Sequence, residues 1–531
     1  MVDYAVRPTS PPAAVAPRHR RDKPGATGPV LSLVLVALIV AVAAFGLFEV
    51  TTSALTAIPM MLLLLGVNTL FWTAVGIGRY LKEHLPSPMR RDHLRIANPI
   101  EADSRHRFRP EDVAVLIPAH NEAAVLENSL RAASTLLPVS NIHVVSDGST
   151  DDTADVGRDF GVHVLELSPN RGKAGALQEG IRHFALAANF AVVMILDADT
   201  RPARDYLHTG LPEFDDPDVV AVAGRVKCLL DPPPRTRTGR FLVAYRARLY
   251  AVVQLLVKYG QAARWANVVS IVPGFASMYR SDVLARIDIA APGLVIEDFN
   301  MTFEVHAKKL GRIAFRPDAA VAYTQDPDTL HDYVHQIGRW SLGFWQTVRL
   351  HGLHAGLFWV VLAVQIAELL SSSVILLFML PLMVFAVYGN TLADTYGYPR
   401  VMGRELVGTL GPQYVLIGFL LPDLLLTVFA AIALRRPSLL LLAPFFPAMR
   451  LVDAYVCLRS IPTAWRTQSS GRWVSPARRE GPSPAPDHRY GQPAGGPPRL
   501  QPNPGHQRPT APGKSRTEPG PAWPARNCLP V

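Results

Sequence analysis

Long apolar runs bracket a stretch of this chain that has none, and that arrangement restricts it to a membrane-attached protein with a globular middle. Pro29 to Val50 is apolar over the ~20 residues of a full membrane span, longer than a signal-peptide core, and no convincing cleavage site follows. A second run covers Ala54 to Gly78, and Arg79 through Lys82 opens a charged region. Arginines before the first run and after the second place both ends in the cytoplasm by the positive-inside rule, so residues 29–80 read as a hairpin anchor. Apolar character returns at Ala355 to Tyr388, Tyr414 to Leu434 and Leu439 to Leu458. The first of these is one long helix or two short ones broken near Ser371-Ser372-Ser373. Arg435-Arg436 reads as a cytoplasmic turn. Arg450 and Asp453 share one helical face, which makes the last run interfacial or spanning.

Composition agrees with a partition between lipid and water. Only 18% of the 531 residues are charged, against about 25% in an ordinary soluble domain. The formal net charge of +10 suits an anionic membrane surface or phosphorylated substrates. It argues less for nucleic acid, because the basic residues gather beside the apolar runs and the middle block lacks interleaved aromatic and basic residues. Cys228, Cys457 and Cys528 have no metal or disulfide spacing, which fits a reduced cytoplasmic setting. Residues 1–28 and 461–531, rich in Pro with Arg, Ala or Gly, read as disordered tails. High Pro, Ala and Arg usage matches a GC-rich bacterial genome.

Between the runs, residues 81–345 alternate strand-like and helix-like segments. Strands are predicted at Val113–Ile117, Ile142–Val145, Val162–Leu167, Val192–Leu196 and Val219–Ala223. Helices are predicted at Glu122–Leu136, Asp152–Phe160, Lys173–Ala187 and Asp298–Leu310. Strands spaced by helices imply an α/β, mostly parallel sheet with right-handed crossovers. The helical region 346–460 follows, with about three membrane helices.

The chemistry-bearing residues fall where such a sheet places ligands. Asp147-Gly148-Ser149 and Asp197-Ala198-Asp199 each follow a predicted strand, at the carboxyl edge where open α/β sheets bind ligands. In extended chain, residues two apart point to one side, so Asp197 and Asp199 gather hard oxygen donors suited to a divalent cation carrying a diphosphate. Each has a plainer reading. Asp197 and Asp199 suit a turn at a strand end, Asp147 a helix N-cap, and Glu122, Glu297 and Asp298 the first turn of a helix. Lys173 reads as a solvated lysine at a helix start. Gln336, Arg339 and Trp340 lie on an amphipathic segment of membrane-surface type.

Order tells more than any single motif. Pro118-Ala119-His120-Asn121-Glu122, Asp147-Gly148-Ser149-Thr150-Asp151, Asn170-Arg171-Gly172-Lys173-Ala174, Asp197-Ala198-Asp199, Glu297-Asp298 and Gln336-Ile337-Gly338-Arg339-Trp340 follow one another along the chain. Together they resemble the membrane-integrated family 2 glycosyltransferases, which include poly-N-acetylglucosamine, hyaluronan, chitin and cellulose synthases. The resemblance covers about residues 112–345 and the flanking runs. It implies a GT-A domain, Rossmann-like, inserted between transmembrane helices in a multi-pass cell-membrane protein with the domain on the cytoplasmic side. It further implies inverting transfer of a hexose from a nucleotide sugar, UDP-linked, to a glycan or lipid-linked acceptor, with Mg2+ or Mn2+ as cofactor and membrane lipid as surroundings.

The resemblance also implies roles. Glu122, Asp147 and Lys173 bind the donor, as do Asp197 and Asp199 through the metal, and Arg339 pairs with the diphosphate. Asp298, beside Glu297, is the base. Gly274, in the loop Pro273-Gly274-Phe275-Ala276-Ser277-Met278-Tyr279-Arg280, admits the glycan, and Gln336 and Trp340 lie at the acceptor end. Ser146 stands where the family has the first of two acids, and Ile296 where Thr is common. QxxRW favours processive elongation coupled to export, along a path that Gln365 and Glu368 would line; the same two residues also suit a break between two short helices, the more common situation. A non-processive transferase acting on a lipid carrier shares all these residues. A non-catalytic membrane scaffold would not need the acids intact.

Overall fold

The computed structural model describes residues 66–84, 106–396 and 420–467. The predicted first span, the start of the second, the N-terminal tail and residues 468–531 lie outside the described residues, whereas residues 461–466, expected in the C-terminal tail, are helical.

Five apolar segments build the sheet as expected, and their boundaries hold to within two residues. They are β1 (Val113–Ala119), β2 (Ile142–Asp147), β3 (His163–Leu167), β4 (Val192–Leu196) and, after the two-residue β5 (Arg201–Pro202), β6 (Val219–Ala223). β1 and β4 are buried along their whole length, which is why they read as continuous apolar runs rather than alternating ones. Val113, Val115 and Ile117 enter the core on one sheet face, while Ala114 and Leu116 enter the core on the other. β7 (Arg225–Cys228), β8 (Ala276–Arg280), β9 (Arg312–Ala314) and β10 (Val321–Thr324) complete the set.

The seven-stranded sheet runs β3-β2-β1-β4-β8-β6-β9, and a small sheet runs β5-β10-β7. The large sheet is mixed. β8 pairs antiparallel with both β4 and β6, and the other neighbours are parallel. The reading as mostly parallel stands, with β8 as the reversed strand.

Among the helices, α1 (Val67–His84) precedes the sheet; α2 (Ala123–Ala133), α3 (Thr153–Phe160) and α4 (Gly172–His183) cross between its first strands. α5 (Arg237–Ala251) continues into a π-helical stretch, Val252–Lys258. Then follow α6 (Glu297–Ala307), α7 (Leu330–His351), α8 (Leu357–Tyr396), α9 (Leu421–Ala433) and α10 (Phe446–Arg466).

Several expectations about the apolar runs change. The charged residues from Arg79 to Lys82, which follow the second apolar run, lie inside α1. Arg79 pairs with Glu83 at 2.8 Å and lies 4.4 Å from the Tyr259 ring centre. α8 passes through Ser371-Ser372-Ser373 without a break, the one-helix alternative, and the hydroxyls of Ser371 and Ser372 donate to the carbonyls of Ala367 and Leu369 within it. Glu368 marks no break either; its carboxylate accepts the Asn68 N–H at 2.6 Å and joins α8 to the start of α1.

Leu357–Phe378 and Leu439–Arg466 are long and apolar enough to cross a membrane. In the second of these, Asp453 turns its carboxylate to the hydroxyls of Tyr245 and Tyr333, each at 2.7 Å. Its polarity therefore joins α10 to α5 and α7. Arg435, with φ at 54°, lies in the turn after α9.

α1 rests on residues 259–261 at very short range. A Cβ added to Gly260 would stand 2.0 Å from the Trp72 carbonyl oxygen, so backbone itself would have to move. Such overpacking costs roughly 1–3 kcal/mol. Gly260→Ala is therefore expected to lower the thermal midpoint of the full-length protein in detergent by several degrees; an unchanged midpoint would show that α1 does not dock there.

Candidate active site

Four separate segments meet at one ammonium group. Lys173, in the first turn of α4, lies 2.7 Å from Asp197 Oδ1 and 2.9 Å from Glu297 Oε1, and donates to the Gly274 carbonyl at 3.2 Å. The Asp197 turn leaves β4, Glu297 opens α6, and Gly274 lies in the loop before β8. Lys173 is thus no solvated lysine. It fastens the acidic turn of the sheet to the acidic pair of α6.

Gly274 is needed at this junction. A Cβ there would approach Glu297 Oε1 to 2.8 Å and Asp298 Cβ to 3.2 Å. The close neighbours that glycine admits are these acids and Lys173, where the sequence reading expected a glycan. Asp298 accepts the N–H of Phe299 through Oδ1 at 2.7 Å and that of Gly274 through Oδ2 at 3.4 Å.

A cavity of about 530 Å³ opens over this junction, within the range of small-molecule sites. Asp197, Asp199, Glu297 and Asp298 all line it, together with Lys173 and, from α7, Gln336, Arg339 and Trp340. Burial raises the Asp298 carboxyl to about 7, and the Glu297 charge adds to the effect; Lys173 and two backbone N–H groups oppose it. Burial likewise raises Asp197, with Lys173 opposing and Asp199 adding.

Arg246 of α5 holds the far wall. It is fully buried, donates to Gln336 Oε1, and stacks 4.3 Å from the Trp340 ring centre and 5.0 Å from that of Tyr333. Its Nε is 3.6 Å from Asp326 Oδ1. The Gln336 carbonyl is therefore engaged by protein, while Trp340 keeps a face on the cavity. Arg339 lines the cavity and makes no ion pair or hydrogen bond with any described residue. Ile296, the residue before the acidic pair, packs against Gly343 of α7 and helps seat that helix.

Glu122 and Asp147 do not line this cavity. They occupy a second station at the carboxyl edges of β1 and β2. Asp147 is fully buried; Oδ1 accepts the Arg171 N–H at 2.7 Å, and Oδ2 has no hydrogen-bond partner among the described residues. Asp147 does not cap α3, since Asp152 holds the N-cap position. Asp151 serves two helix starts instead, accepting the N–H groups of Thr153 and Ala123, each at 3.1 Å. Glu122 takes the N-cap position of α2 and is 1% exposed, not a solvated first-turn acid.

Arg246 and Lys258 were absent from the sequence reading. Their signal was a polar stripe, Arg246-x-x-x-Tyr250-x-x-x-Gln254-x-x-x-Lys258, on a helical segment whose other residues, Arg248 aside, are apolar.

Residues 114–288 match the family described as Glycosyl transferase family 2, and the chain is a glycosyltransferase carrying a domain that matches that family. Among curated proteins it is similar to poly-β-1,6-N-acetyl-D-glucosamine synthase of Staphylococcus epidermidis RP62A, 26% identical over 301 residues, covering 54% of this chain and 68% of that protein. It is also similar to the synthase of the same name from Staphylococcus aureus COL, 27% identical over 242 residues, covering 44% of this chain and 54% of that one. The chain thus spans between about half and two thirds of these relatives.

Among solved structures, it is similar to the mannosyltransferase PcManGT from Pyrobaculum calidifontis, at 18% identity and a TM-score of 0.38, covering 74% of this chain and 98% of that one. Glucosyl-3-phosphoglycerate synthase from Mycobacterium tuberculosis matches at 16% identity and a TM-score of 0.31, covering 48% of this chain and 82% of that one.

Removing the Lys173 ammonium leaves Asp197 and Glu297 facing each other without a counter-charge, a change that costs about 3–5 kcal/mol in buried pairs. Lys173→Met is expected to lower the thermal midpoint and abolish sugar transfer. A variant with wild-type midpoint and wild-type turnover would contradict this arrangement.

Proposed function

We propose that the protein is an inverting, membrane-bound hexosyltransferase that extends a polysaccharide from a UDP-linked sugar. The observation that carries this reading is that Asp199, Asp298 and Arg339 face one cavity. A diphosphate seated between Asp199 and the unpaired Arg339 guanidinium would put its sugar beside Asp298. Arg339 is suited to bidentate contact with phosphate oxygens. The second station supplies the nucleotide end: the buried, unpartnered Asp147 Oδ2 is an acceptor awaiting a donor, such as an N–H of a pyrimidine base. Glu122 shapes the same turn.

In the transfer step, Asp298 takes the proton of an acceptor hydroxyl as that oxygen bonds to the anomeric carbon, and the bond from that carbon to the diphosphate oxygen breaks. Lys173 holds Glu297 and Asp197 in place. Trp340 offers an apolar face to the acceptor sugar, backed by Arg246 and Gln336.

Asp199 and Asp197 fit a hard divalent cation such as Mg2+ or Mn2+. Asp197 shares one oxygen with Lys173, and Asp199 Oδ1 accepts from the Thr200 hydroxyl at 3.2 Å. A cation held by these two carboxylates would take its remaining ligands from substrate phosphates and water. When bound, it would offset charge on the departing nucleoside diphosphate.

The similarity to poly-β-1,6-N-acetyl-D-glucosamine synthases makes UDP-N-acetylglucosamine the first donor to test and a β-linked polymer the expected product. The apolar helices support a multi-pass membrane protein with this domain on the cytoplasmic side, and export of the polymer accompanies that reading. Product length on a gel with labelled donor separates polymer synthesis from single additions to a lipid carrier: a ladder or smear supports elongation, and a single product contradicts it.

Further outcomes follow from the site. Asp298→Asn should cut transfer by about 10²–10⁴-fold, the usual contribution of a positioned base, while UDP binding by calorimetry is retained. Transfer should fall as pH drops through about 7, because Asp298 becomes protonated and loses its capacity as a base. A flat profile from pH 6 to 8 would contradict the role given to Asp298. Chelation of divalent cations should abolish transfer, and Mn2+ or Mg2+ should restore it.

A further inference from the structure

The cavity holds a second lysine that the scheme above leaves unused. Lys258 ends the π-helical stretch Val252–Lys258, a geometry that often marks functional positions. Tyr250, Gln254 and Lys258 follow at intervals of four, and all three line the cavity. The first two are already engaged. The Tyr250 hydroxyl donates to Asp326 Oδ1 at 3.0 Å, and the Gln254 amide bonds both to the N–H and to the carbonyl of Val226, at 2.8 and 2.9 Å.

Lys258 differs. It is only 5% exposed, yet its ammonium donates to no described residue and lies over the Phe315 ring, 5.5 Å from the ring centre. An ammonium carries three donors, and burying them without acceptors is costly. Lys173, in contrast, is satisfied by Asp197, Glu297 and the Gly274 carbonyl. The acid whose charge reaches Lys258 is Asp298. Both lysines line the cavity with Asp298; Lys173 is saturated by oxygen partners, and Lys258 has none among the described residues. Burial draws Lys258 down to about 8, with Asp298 opposing, so it remains mostly cationic at neutral pH.

We propose that Lys258 binds the acceptor: its ammonium donates to an oxygen of the incoming glycan, beside the hydroxyl that gives its proton to Asp298. This rests on the base role assigned to Asp298 above. Lys258 thereby selects acceptors that carry an oxygen acceptor next to the attacking hydroxyl, whether a ring hydroxyl or an amide carbonyl.

The test uses full-length Lys258→Met and Lys258→Arg in detergent micelles, with UDP-N-acetylglucosamine as donor and a short β-1,6-linked N-acetylglucosamine oligosaccharide as acceptor. Lys258→Met is expected to raise the acceptor KM at least tenfold. The donor KM and the slow hydrolysis of donor by water, which report an intact fold and donor site, should stay within twofold of wild type. Lys258→Arg should recover most of the acceptor affinity. An unchanged acceptor KM in Lys258→Met would overturn the proposal, as would a parallel loss of donor hydrolysis. Asp298→Asn, assayed alongside, separates the two failures. If it transfers sugar at the wild-type rate, the base assignment falls; if it is inactive while Lys258→Met uses acceptor normally, only the role of Lys258 falls.

Discussion

The Lys173 ammonium is the interaction on which the rest of the site depends. Asp197 follows β4 and Glu297 opens α6, far apart in sequence, and two largely buried carboxylates repel each other at close range. Lys173, 2.7 and 2.9 Å from them, turns that repulsion into a junction. Asp298 follows Glu297 in α6 and so inherits its position from the same contact. Buried ion pairs are poor evidence of stability in general, because desolvation offsets their attraction. Here the pair specifies geometry. It sets the acid of α6 against the carboxyl edge of β4, where a ligand approaches the sheet.

A second set of buried polar contacts ties this domain to the apolar helices. Arg248 of α5 pairs with Asp423 of α9 at 2.6 Å, and Arg450 of α10 lies 3.4 Å from the same carboxylate. Asp453 receives two tyrosine hydroxyls, one from α5 and one from α7. α5 and α7 are also the helices that form the cavity wall through Arg246, Gln336 and Trp340. The wall of the site and the packing of the apolar helices are therefore parts of one polar framework. A shift of α9 or α10 would be felt at Trp340.

Much of the sheet was legible because β1, β4 and β6 are short, wholly apolar and buried on both faces, the pattern that fixes a central strand. β8 was not recognised as a strand, although its residues were noted as a loop motif. Its sequence, Ala276-Ser277-Met278-Tyr279-Arg280, mixes polar and apolar residues, and its place depends on antiparallel pairing with two distant strands. Local pattern cannot report that. The acids of the site were legible from their positions after strands, but their partners were less so. Lys173 was flagged without its two carboxylates, and Arg246 and Lys258 were missed, because a cation inside an apolar helix has no short motif to announce it. Gly274 was noticed as a place for close approach of the glycan. Only the packing shows that the space it leaves is filled by Glu297 and Asp298.

The central claim is that one cavity holds an activated sugar between Asp199 and Arg339, with Asp298 across from its anomeric carbon. The most direct measurement is a cryo-EM structure of the full-length protein with Mn2+ and a non-hydrolysable UDP-sugar. The account predicts diphosphate density bridging Asp199 and Arg339, with the base beside Asp147 and the sugar within reach of Asp298. Nucleotide bound elsewhere, or a sugar facing away from Asp298, would contradict it.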